Sequence, residues 1–238
     1  MRTTLAIARR EYRSFFLVPS GYLVGALFLL ANGIIFLTTV FLPGQPATLR
    51  AVFGFDVMVL LLLCPAVTMR SICEERRLGT FELLAASPAG SSSLVVGKFM
   101  AAFASLATML VPTLVLVLLL ELYGRPDPGE VLAGYLGLLL VGSMYLAGGL
   151  LASTIAGSQT IAYLLSVFFF ILVSLSRTAL PAWVGPDVWG VLSTFDPFLR
   201  MEDFTIGLID TSSIVYFLVV TGWFLLAAVA VIETERRS

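Results

Sequence analysis

Residues 51–98 decide the fold, and they read AVFGFDVMVLLLLCPAVTMRSICEERRLGTFELLAASPAGSSSLVVGK. The first part, 51–69, is almost entirely apolar and holds a single charged residue, Asp56. A helix of about 20 mostly apolar residues is long enough to cross the hydrocarbon core of a bilayer. The next part, 70–93, contains a cluster of acids and arginines, and a second apolar run follows it. The stretch therefore predicts two membrane spans joined by a polar loop.

Charge-poor runs of membrane-spanning length also occur on both sides of this stretch. Together they predict an all-α integral membrane protein with six transmembrane helices. We interpret the whole chain, 1–238, as one transmembrane domain, because only loops remain between the runs. The predicted spans are 21–42, 51–69, 94–120, 131–154, 160–176 and 213–232.

The composition agrees with a membrane protein, since 59% of the residues are apolar and 12% are charged, whereas soluble domains carry about 25% charged residues. The chain has no histidine, which excludes Ser-His-Asp and Cys-His catalysis and histidine-ligated zinc or haem. Two cysteines are too few for a disulfide framework. The formal net charge of -1 provides no field that would attract nucleic acid. We expect this chain to bind no metal, no cofactor and no nucleic acid.

The lysine and arginine residues predict the orientation, because basic residues near span ends are retained on the cytoplasmic side. With the N-terminus inside, the cytoplasmic segments hold ten of the 14 basic residues and the outer segments hold four. Both termini are therefore predicted to be cytoplasmic, in a multi-pass protein of the inner or plasma membrane. The ten are Arg2, Arg9, Arg10, Arg13, Arg70, Arg76, Arg77, Lys98, Arg236 and Arg237, and the four are Arg50, Arg125, Arg177 and Arg200.

Residues 1–18 precede the first span and have an amphipathic pattern. Apolar residues recur at steps of three and four, and arginines occupy the remaining positions. This pattern predicts a helix that lies in the headgroup plane on the cytoplasmic side. The alternative is a frayed tail that merely follows the positive-inside rule. The apolar positions are Leu5, Ala8, Tyr12 and Phe15, and the basic ones are Arg2, Arg9, Arg10 and Arg13.

Charged residues are rare inside the predicted spans. Lys98 lies in the first turns of the third span, and we expect it to snorkel to the inner headgroups. Asp56 lies near the outer end of the second span, and two interpretations are open. It is either a polar group that faces a substrate pathway, or a structural carboxylate that lies at headgroup level or pairs with Arg50. No set of acids near the midplane suggests an ion-coupled transporter or an intramembrane protease.

The loop 70–93 combines a charged cluster with a predicted short helix. Glu74 and Glu75 precede Arg76 and Arg77 at the membrane exit of the second span. The Gly79-Thr80 step is expected to end that helix and to cap a new one at 81–86, which Pro88 would terminate. A short helix with apolar residues and one acid, Glu82, is suited to docking against a cytoplasmic partner.

A nucleotide-binding loop is not evident in the sequence. The nearest candidate runs from Gly90 to Phe99, but six residues rather than four separate Gly90 from Gly97. Phe99 also follows Lys98 where a phosphate loop requires serine or threonine. We therefore expect any nucleotide hydrolysis to take place on a separate polypeptide.

Three stretches of this sequence resemble one family of membrane proteins. The run EERRLGTFELLAASP at 74–88, followed by GKF at 97–99, resembles the cytoplasmic loop of ABC-2 type transporter permeases. Two further stretches resemble, more narrowly, the gliding-motility-associated permease subunit of that family. They are REYRSFFLVPSGYLV at 10–24 and FDPFLRMEDFTIGLIDTSSIVYF at 195–217.

The resemblance implies a six-span subunit that pairs with a second copy or a related permease. It also implies separate ATPase subunits, which bind ATP and Mg, and it leaves room for a periplasmic or extracellular auxiliary membrane protein. The segment 177–212 would form a partly membrane-inserted outer hairpin. The N-terminal helix and the loop 70–93 would contact the ATPase. In the loop, this role falls on Glu74, Glu75, Arg76, Arg77, Gly79, Thr80, Glu82, Leu83, Leu84, Ser87 and Pro88.

The resulting prediction is a permease subunit of an ATP-driven exporter, without catalysis of its own. Two other functions remain open at this point. One is a membrane anchor or scaffold of a motility or envelope complex, and the other is a stand-alone channel or carrier.

Overall fold

The computed structural model describes residues 2–40, 46–77, 79, 90–175 and 196–237. Every regular element in this part of the chain is helical. The helices, in chain order, are α1 (Arg2–Leu17), α2 (Pro19–Ile35, continued by a π-helical turn at Phe36–Val40), α3 (Arg50–Thr68), α4 (Cys73–Arg77), α5 (Ser91–Leu110), α6 (Leu114–Tyr123, joined to α5 by a 3-10 turn at Val111–Thr113), α7 (Pro128–Ile155), α8 (Gln159–Leu175), α9 (Pro197–Thr205) and α10 (Thr211–Arg237).

Within the described residues, five apolar helical segments of 20 to 33 residues are long enough to cross a membrane. The helix α8, with 17 residues, is a shorter apolar helix. Each of these overlaps one of the predicted spans, and the predicted all-helical membrane fold is confirmed. The five segments are Gly21–Val40, Arg50–Arg77, Ser91–Tyr123, Pro128–Ile155 and Thr211–Arg236.

The helix α1 is continuous over 16 residues, so the alternative of a frayed tail is wrong. It packs along α5, where the Thr4 carbonyl and the Ile7 side chain lie against Gly97. Further along, the Tyr12 hydroxyl lies 2.8 Å from Thr108 Oγ1. These contacts cover about 16 Å of α5 at 1.5 Å per residue. The N-terminal helix is therefore fixed to the third span.

Most of the predicted apolar face of α1 packs inward, since Ala8, Tyr12 and Phe15 are half-buried and Tyr12 contacts α5. Leu5 was expected on the apolar side, but it is 59% exposed. Glu11, an acid, lies instead on the packed side. The reason is that α5 offers a cation to this face as well as apolar surface. Placement of α1 in the headgroup plane stays a prediction.

The helix α7 forms the centre of the bundle, because it packs against α3, α5, α8, α9 and α10. Small residues on α7 allow close approach of these neighbours. At Gly149, an added Cβ atom would lie 3.1 Å from the Pro65 Cα atom of α3 and would collide with the Thr68 hydroxyl. The contact between α3 and α7 therefore depends on the missing side chain.

The segment after the second predicted span contains a short helix near its start. A turn covers 69–72, and α4 then runs from Cys73 to Arg77. Gly79 follows with a φ of +68°, in the left-handed region, and its N–H donates to the Arg76 carbonyl at 3.1 Å. Glycine adopts this conformation without a steric penalty. The helix break that the sequence predicts at Gly79 is therefore present.

The segment between α8 and α10 includes one short helix, α9. The Asp196 carboxylate caps it by accepting from the Phe198 N–H at 2.9 Å. Met201 and Phe204 are buried and contact Gly137, which lies about 13 Å from the start of α7 at 1.5 Å per residue. The helix α9 thus packs beside a span. Residues 177–195 of the predicted hairpin lie outside the described residues.

The two ends of the bundle can be distinguished by their elements. At one end, α3 and α7 begin, and Arg50 Nε lies 3.6 Å from Glu130 Oε2. At the other end, α4 meets the end of α7 at Ser153 and the end of α10 at Glu235. Since α1 contacts the start of α5 at this second end, both chain termini lie at the same end of the bundle.

Candidate functional site

Lys98, near the start of α5, is the centre of a buried ionic cluster, and its side chain is 1% exposed. Its Nζ atom lies 2.8 Å from Glu75 Oε1 and 3.0 Å from Glu11 Oε1. It also donates to the Ser71 carbonyl at 2.6 Å. All three ammonium donors are therefore satisfied by protein oxygens. The expectation that Lys98 snorkels to headgroups is wrong, because two carboxylates provide a nearer anionic environment.

This cluster joins three elements that are distant in sequence. Glu11 belongs to α1, Glu75 to α4 and Lys98 to α5. A buried cation is tolerated only when its charge is matched, and removal of one partner leaves an uncompensated charge. The cluster consequently holds α1, α4 and the third span in one arrangement.

Arg76, the next residue after Glu75, is directed at a different group of helices. Its Nη2 atom donates to the Thr154 carbonyl at 2.6 Å, at the end of α7. The same atom lies 2.7 Å from both carboxylate oxygens of Glu235, at the end of α10. Arg76 therefore links α4 to the fourth and the last spans.

Ser153 anchors the start of α4 to α7 through its hydroxyl and backbone. The Ser153 hydroxyl accepts from the backbone N–H groups of Ile72 at 3.1 Å and Cys73 at 3.3 Å, and it donates to the Met69 carbonyl at 3.2 Å. The Cys73 thiol donates to the Ser153 carbonyl at 3.3 Å. These bonds fix the turn between α3 and α4 against the fourth span, since buried backbone groups without partners are costly.

Two residues of the predicted charged cluster, Glu74 and Arg77, are exposed, whereas Glu75 and Arg76 are half-buried. Gly79 is also exposed, at the end of the described part of this segment. The structure thus divides the cluster into an outward pair and an inward pair. The other predicted contact residues of the loop lie outside the described residues: Thr80, Glu82, Leu83, Leu84, Ser87 and Pro88.

Three arginines of α1 were predicted to lie at the membrane interface. Arg9, Arg10 and Arg13 are exposed, and Phe15 is half-buried with its ring centroid 5.2 Å from that of Phe16. Their location is compatible with headgroups or with a cytoplasmic partner. The predicted interfacial role of these residues stays a prediction.

Asp56 lies between helices of the bundle and is 2% exposed. Asn32 Nδ2 donates to Asp56 Oδ1 at 2.7 Å and to the Phe28 carbonyl at 3.1 Å. Arg50 forms its ion pair with Glu130 instead. The interpretation of Asp56 as a partner of Arg50 is therefore wrong, because α2 supplies an amide donor inside the bundle. Its role in a pathway stays a prediction.

Sequence reasoning missed three of the residues that connect α1 and α4 to the spans: Glu11, Ser153 and Glu235. Glu11 interrupts a run of arginines on α1, and an acid in such a run is a signal for a basic partner. Ser153 and Glu235 lie 80 and 159 residues from their contacts on α4. No local pattern identifies contacts over such separations.

A family model described as ABC-2 family transporter protein matches residues 55–186, which is more than half of the 238 residues. The chain belongs to the ABC-2 transporter family. No curated protein matches it.

The ABC-2 match covers most of the second predicted span and all of the third to fifth, and hence α4 and most of its contacts. Membership makes the chain a multi-pass membrane component of a transporter. Glu11 and Glu235, which complete the two ion-pair clusters, lie outside the matched residues.

Proposed function

We propose that this chain is the permease subunit of an ABC-2 type exporter in the inner or plasma membrane. A separate ATPase subunit binds ATP and Mg, and hydrolysis there drives substrate movement through the permease. A second copy of the chain, or a related permease, completes the transmembrane unit. An auxiliary membrane protein on the outer side is a further expected partner.

One observation carries the coupling part of this proposal: α4 is tied to several spans at once. Glu75 contacts Lys98 of the third span, and Arg76 contacts the ends of the fourth and last spans. A force applied to the loop after α4 is therefore applied to most of the bundle. Such an arrangement suits a segment that receives movement from a cytoplasmic partner.

The docking surface of the ATPase is expected to include the exposed residues Glu74, Arg77 and Gly79 of the described segment. The loop that follows contributes the remaining predicted contacts, of which Glu82 and Leu84 are the most distinctive in the sequence. Both termini lie at the same end of the bundle as α4, and the distribution of basic residues favours the cytoplasm for that end.

The narrower assignment to gliding-motility-associated permeases rests on residues 10–24 and 195–217. Both stretches lie outside the residues that match the family. The gliding subgroup is therefore a prediction from these stretches alone. A scaffold role in a motility or envelope complex is its functional counterpart.

The proposal is tested by purification of the chain from its native membrane in a mild detergent. We expect an ATPase with a phosphate-binding loop to co-purify, and its hydrolysis rate to depend on the permease. Replacement of Glu82 by Gln together with Leu84 by Ala should weaken this dependence while membrane insertion is retained.

A matched control is available at the opposite end of the bundle. Glu121 and Leu122 are also an acid and a leucine, and both are exposed near the outer end of α6. The double replacement Glu121→Gln and Leu122→Ala should leave the hydrolysis rate unchanged. Purified preparations that never contain an ATPase would contradict the proposal and favour the scaffold.

A further inference from the structure

The helix α4 carries four consecutive charged residues, and the structure assigns them to three directions. Successive residues on an α-helix are separated by about 100° around its axis. Glu75 and Arg76 point into the bundle toward different helices, while Glu74 and Arg77 are exposed. A cluster that reads as one unit in the sequence is thus divided in space.

The contact of Glu75 connects α4 with one group of helices, α1 and α5. Glu75 Oε1 accepts from Lys98 Nζ at 2.8 Å, and Lys98 also pairs with Glu11 at 3.0 Å. Because α1 packs along α5 as far as Thr108, a displacement of Glu75 is passed to α1 and the third span together.

The contact of Arg76 connects α4 with a second group of helices, α7 and α10. Arg76 contacts the Thr154 carbonyl and the Glu235 carboxylate. These groups lie at the ends of α7 and α10, which pack against each other along their lengths. A displacement of Arg76 is therefore passed to the fourth and the last spans.

We propose that Glu75 and Arg76 are positioning residues that transmit movement of the loop to two separate groups of helices, whereas Glu74 and Arg77 face the ATPase. This inference rests on the proposed function and adds to it a division of roles within α4. It also assigns a role in coupling to Glu235, which lies near the end of the last span.

The test uses the complex of permease and co-purified ATPase in lipid nanodiscs, with one reporter cysteine on each group of helices. Leu122→Cys reports the third span, and Thr211→Cys reports the last span; both positions are exposed at the outer end. The native cysteines, Cys64 and Cys73, are buried. The readout is the labelling rate with a membrane-impermeant maleimide, with and without ATP plus vanadate.

We expect ATP plus vanadate to change labelling at both reporters by at least threefold in the otherwise unaltered complex. Glu75→Gln should abolish the change at Leu122→Cys and preserve most of it at Thr211→Cys. Arg76→Gln should have the reverse effect. A loss of general stability would affect both reporters equally, so the opposite patterns identify a positioning role.

Two acids near the end of α10 provide a matched comparison for the second contact. Glu235→Gln should reproduce the effect of Arg76→Gln, whereas Glu233→Gln, at an exposed position two residues earlier, should not. For the outward pair, Glu74→Arg combined with Arg77→Glu should reduce the amount of ATPase that co-purifies by tenfold or more. Glu75→Gln and Arg76→Gln should leave that amount within twofold.

The outcomes separate the two proposals. A labelling change that survives both Glu75→Gln and Arg76→Gln, or that each variant abolishes at both reporters, would overturn the division of roles while the proposed function stands. An unaltered complex in which ATP plus vanadate changes neither reporter would overturn the proposed function, and this inference with it.

Discussion

Arg76 Nη2 lies 2.7 Å from both carboxylate oxygens of Glu235, which follows it by 159 residues. The side chains are 25% and 38% exposed, respectively. Ion pairs in contact with solvent contribute about 0–1 kcal/mol to stability. This contact is therefore better suited to fixing the relative positions of α4 and α10 than to stabilising the fold.

The first prediction follows from that exposure. Glu235→Gln should lower the free energy of unfolding by less than about 1 kcal/mol, because solvent already screens the pair. The thermal unfolding midpoint of the purified complex in detergent measures this, with Glu233→Gln as the control. A large loss of stability in the first variant alone would show that the pair is structural.

Replacement of Lys98 should lower the free energy of unfolding much more than replacement of Glu235. Lys98→Met keeps the length of the side chain but leaves Glu11 and Glu75 without their cation, and loss of one partner of a buried pair costs about 3–5 kcal/mol. Since Glu11 is 29% exposed, we expect the lower part of this range. Lys98→Arg, which retains the charge, should recover most of the loss in the same unfolding measurement.

An unchanged midpoint in Lys98→Met would mean that the two carboxylates find other partners or water. It would also contradict the view that the cluster holds α1 against the third span. Limited proteolysis near residue 18 provides an independent check, since a detached α1 would be cleaved more rapidly.

The Asn32–Asp56 pair is suited to a double-mutant cycle. Asn32→Leu leaves the Asp56 carboxyl group without its amide donor in the bundle, and an unsatisfied buried polar group costs about 1–3 kcal/mol. Asp56→Leu should cost a similar amount, because Asn32 Nδ2 then lacks an acceptor. The double variant should be more stable than the sum of the two losses predicts.

Additive effects in that cycle, measured by unfolding midpoints, would show that the two side chains do not depend on each other. That result would favour a role of Asp56 in a substrate pathway over a role in helix packing. Asp56→Asn, which keeps the volume and polarity, serves as the control for the change of shape.

Close packing at α7 leads to a further prediction. Gly149→Ala places a Cβ atom 3.1 Å from the Pro65 Cα atom, and overpacking of this kind costs about 1–3 kcal/mol. Gly25 in α2 has no neighbour within 4 Å of the same atom, so Gly25→Ala should be neutral or should stabilise by about 0.5–1 kcal/mol. Equal effects of the two substitutions on the unfolding midpoint would refute the close contact of α3 with α7.

The spans could be predicted because their signal is local: about 20 apolar residues in a row require no knowledge of neighbours. The break at Gly79 was predictable for the same reason, since the residue type itself permits a positive φ. The pairing of Lys98 with Glu11 was not, because Glu11 lies 87 residues away in the sequence. A snorkelling lysine and a buried lysine look identical until the packing of α1 is known.

The candidate site shows the same limit within one motif. The family resemblance implied the same contact role for Glu74, Glu75, Arg76 and Arg77, which are consecutive in the sequence. Which of them face inward depends on the rotation of α4. That rotation is set by the hydrogen bonds that the backbone N–H groups of residues 72 and 73 donate to Ser153, which lies on the fourth span.

The last prediction concerns orientation, on which the docking of an ATPase depends. Glu74 is exposed at the end of the bundle that holds both termini, and Arg125 is exposed in the segment between α6 and α7 at the other end. If basic residues determine the topology, Arg125→Cys should react with an impermeant maleimide in intact cells. Glu74→Cys should react only after the membrane is permeabilised. The native Cys64 and Cys73 are buried, so the unaltered chain provides the background. Labelling of Glu74→Cys in intact cells would place α4 outside, where no cytoplasmic ATPase could reach it.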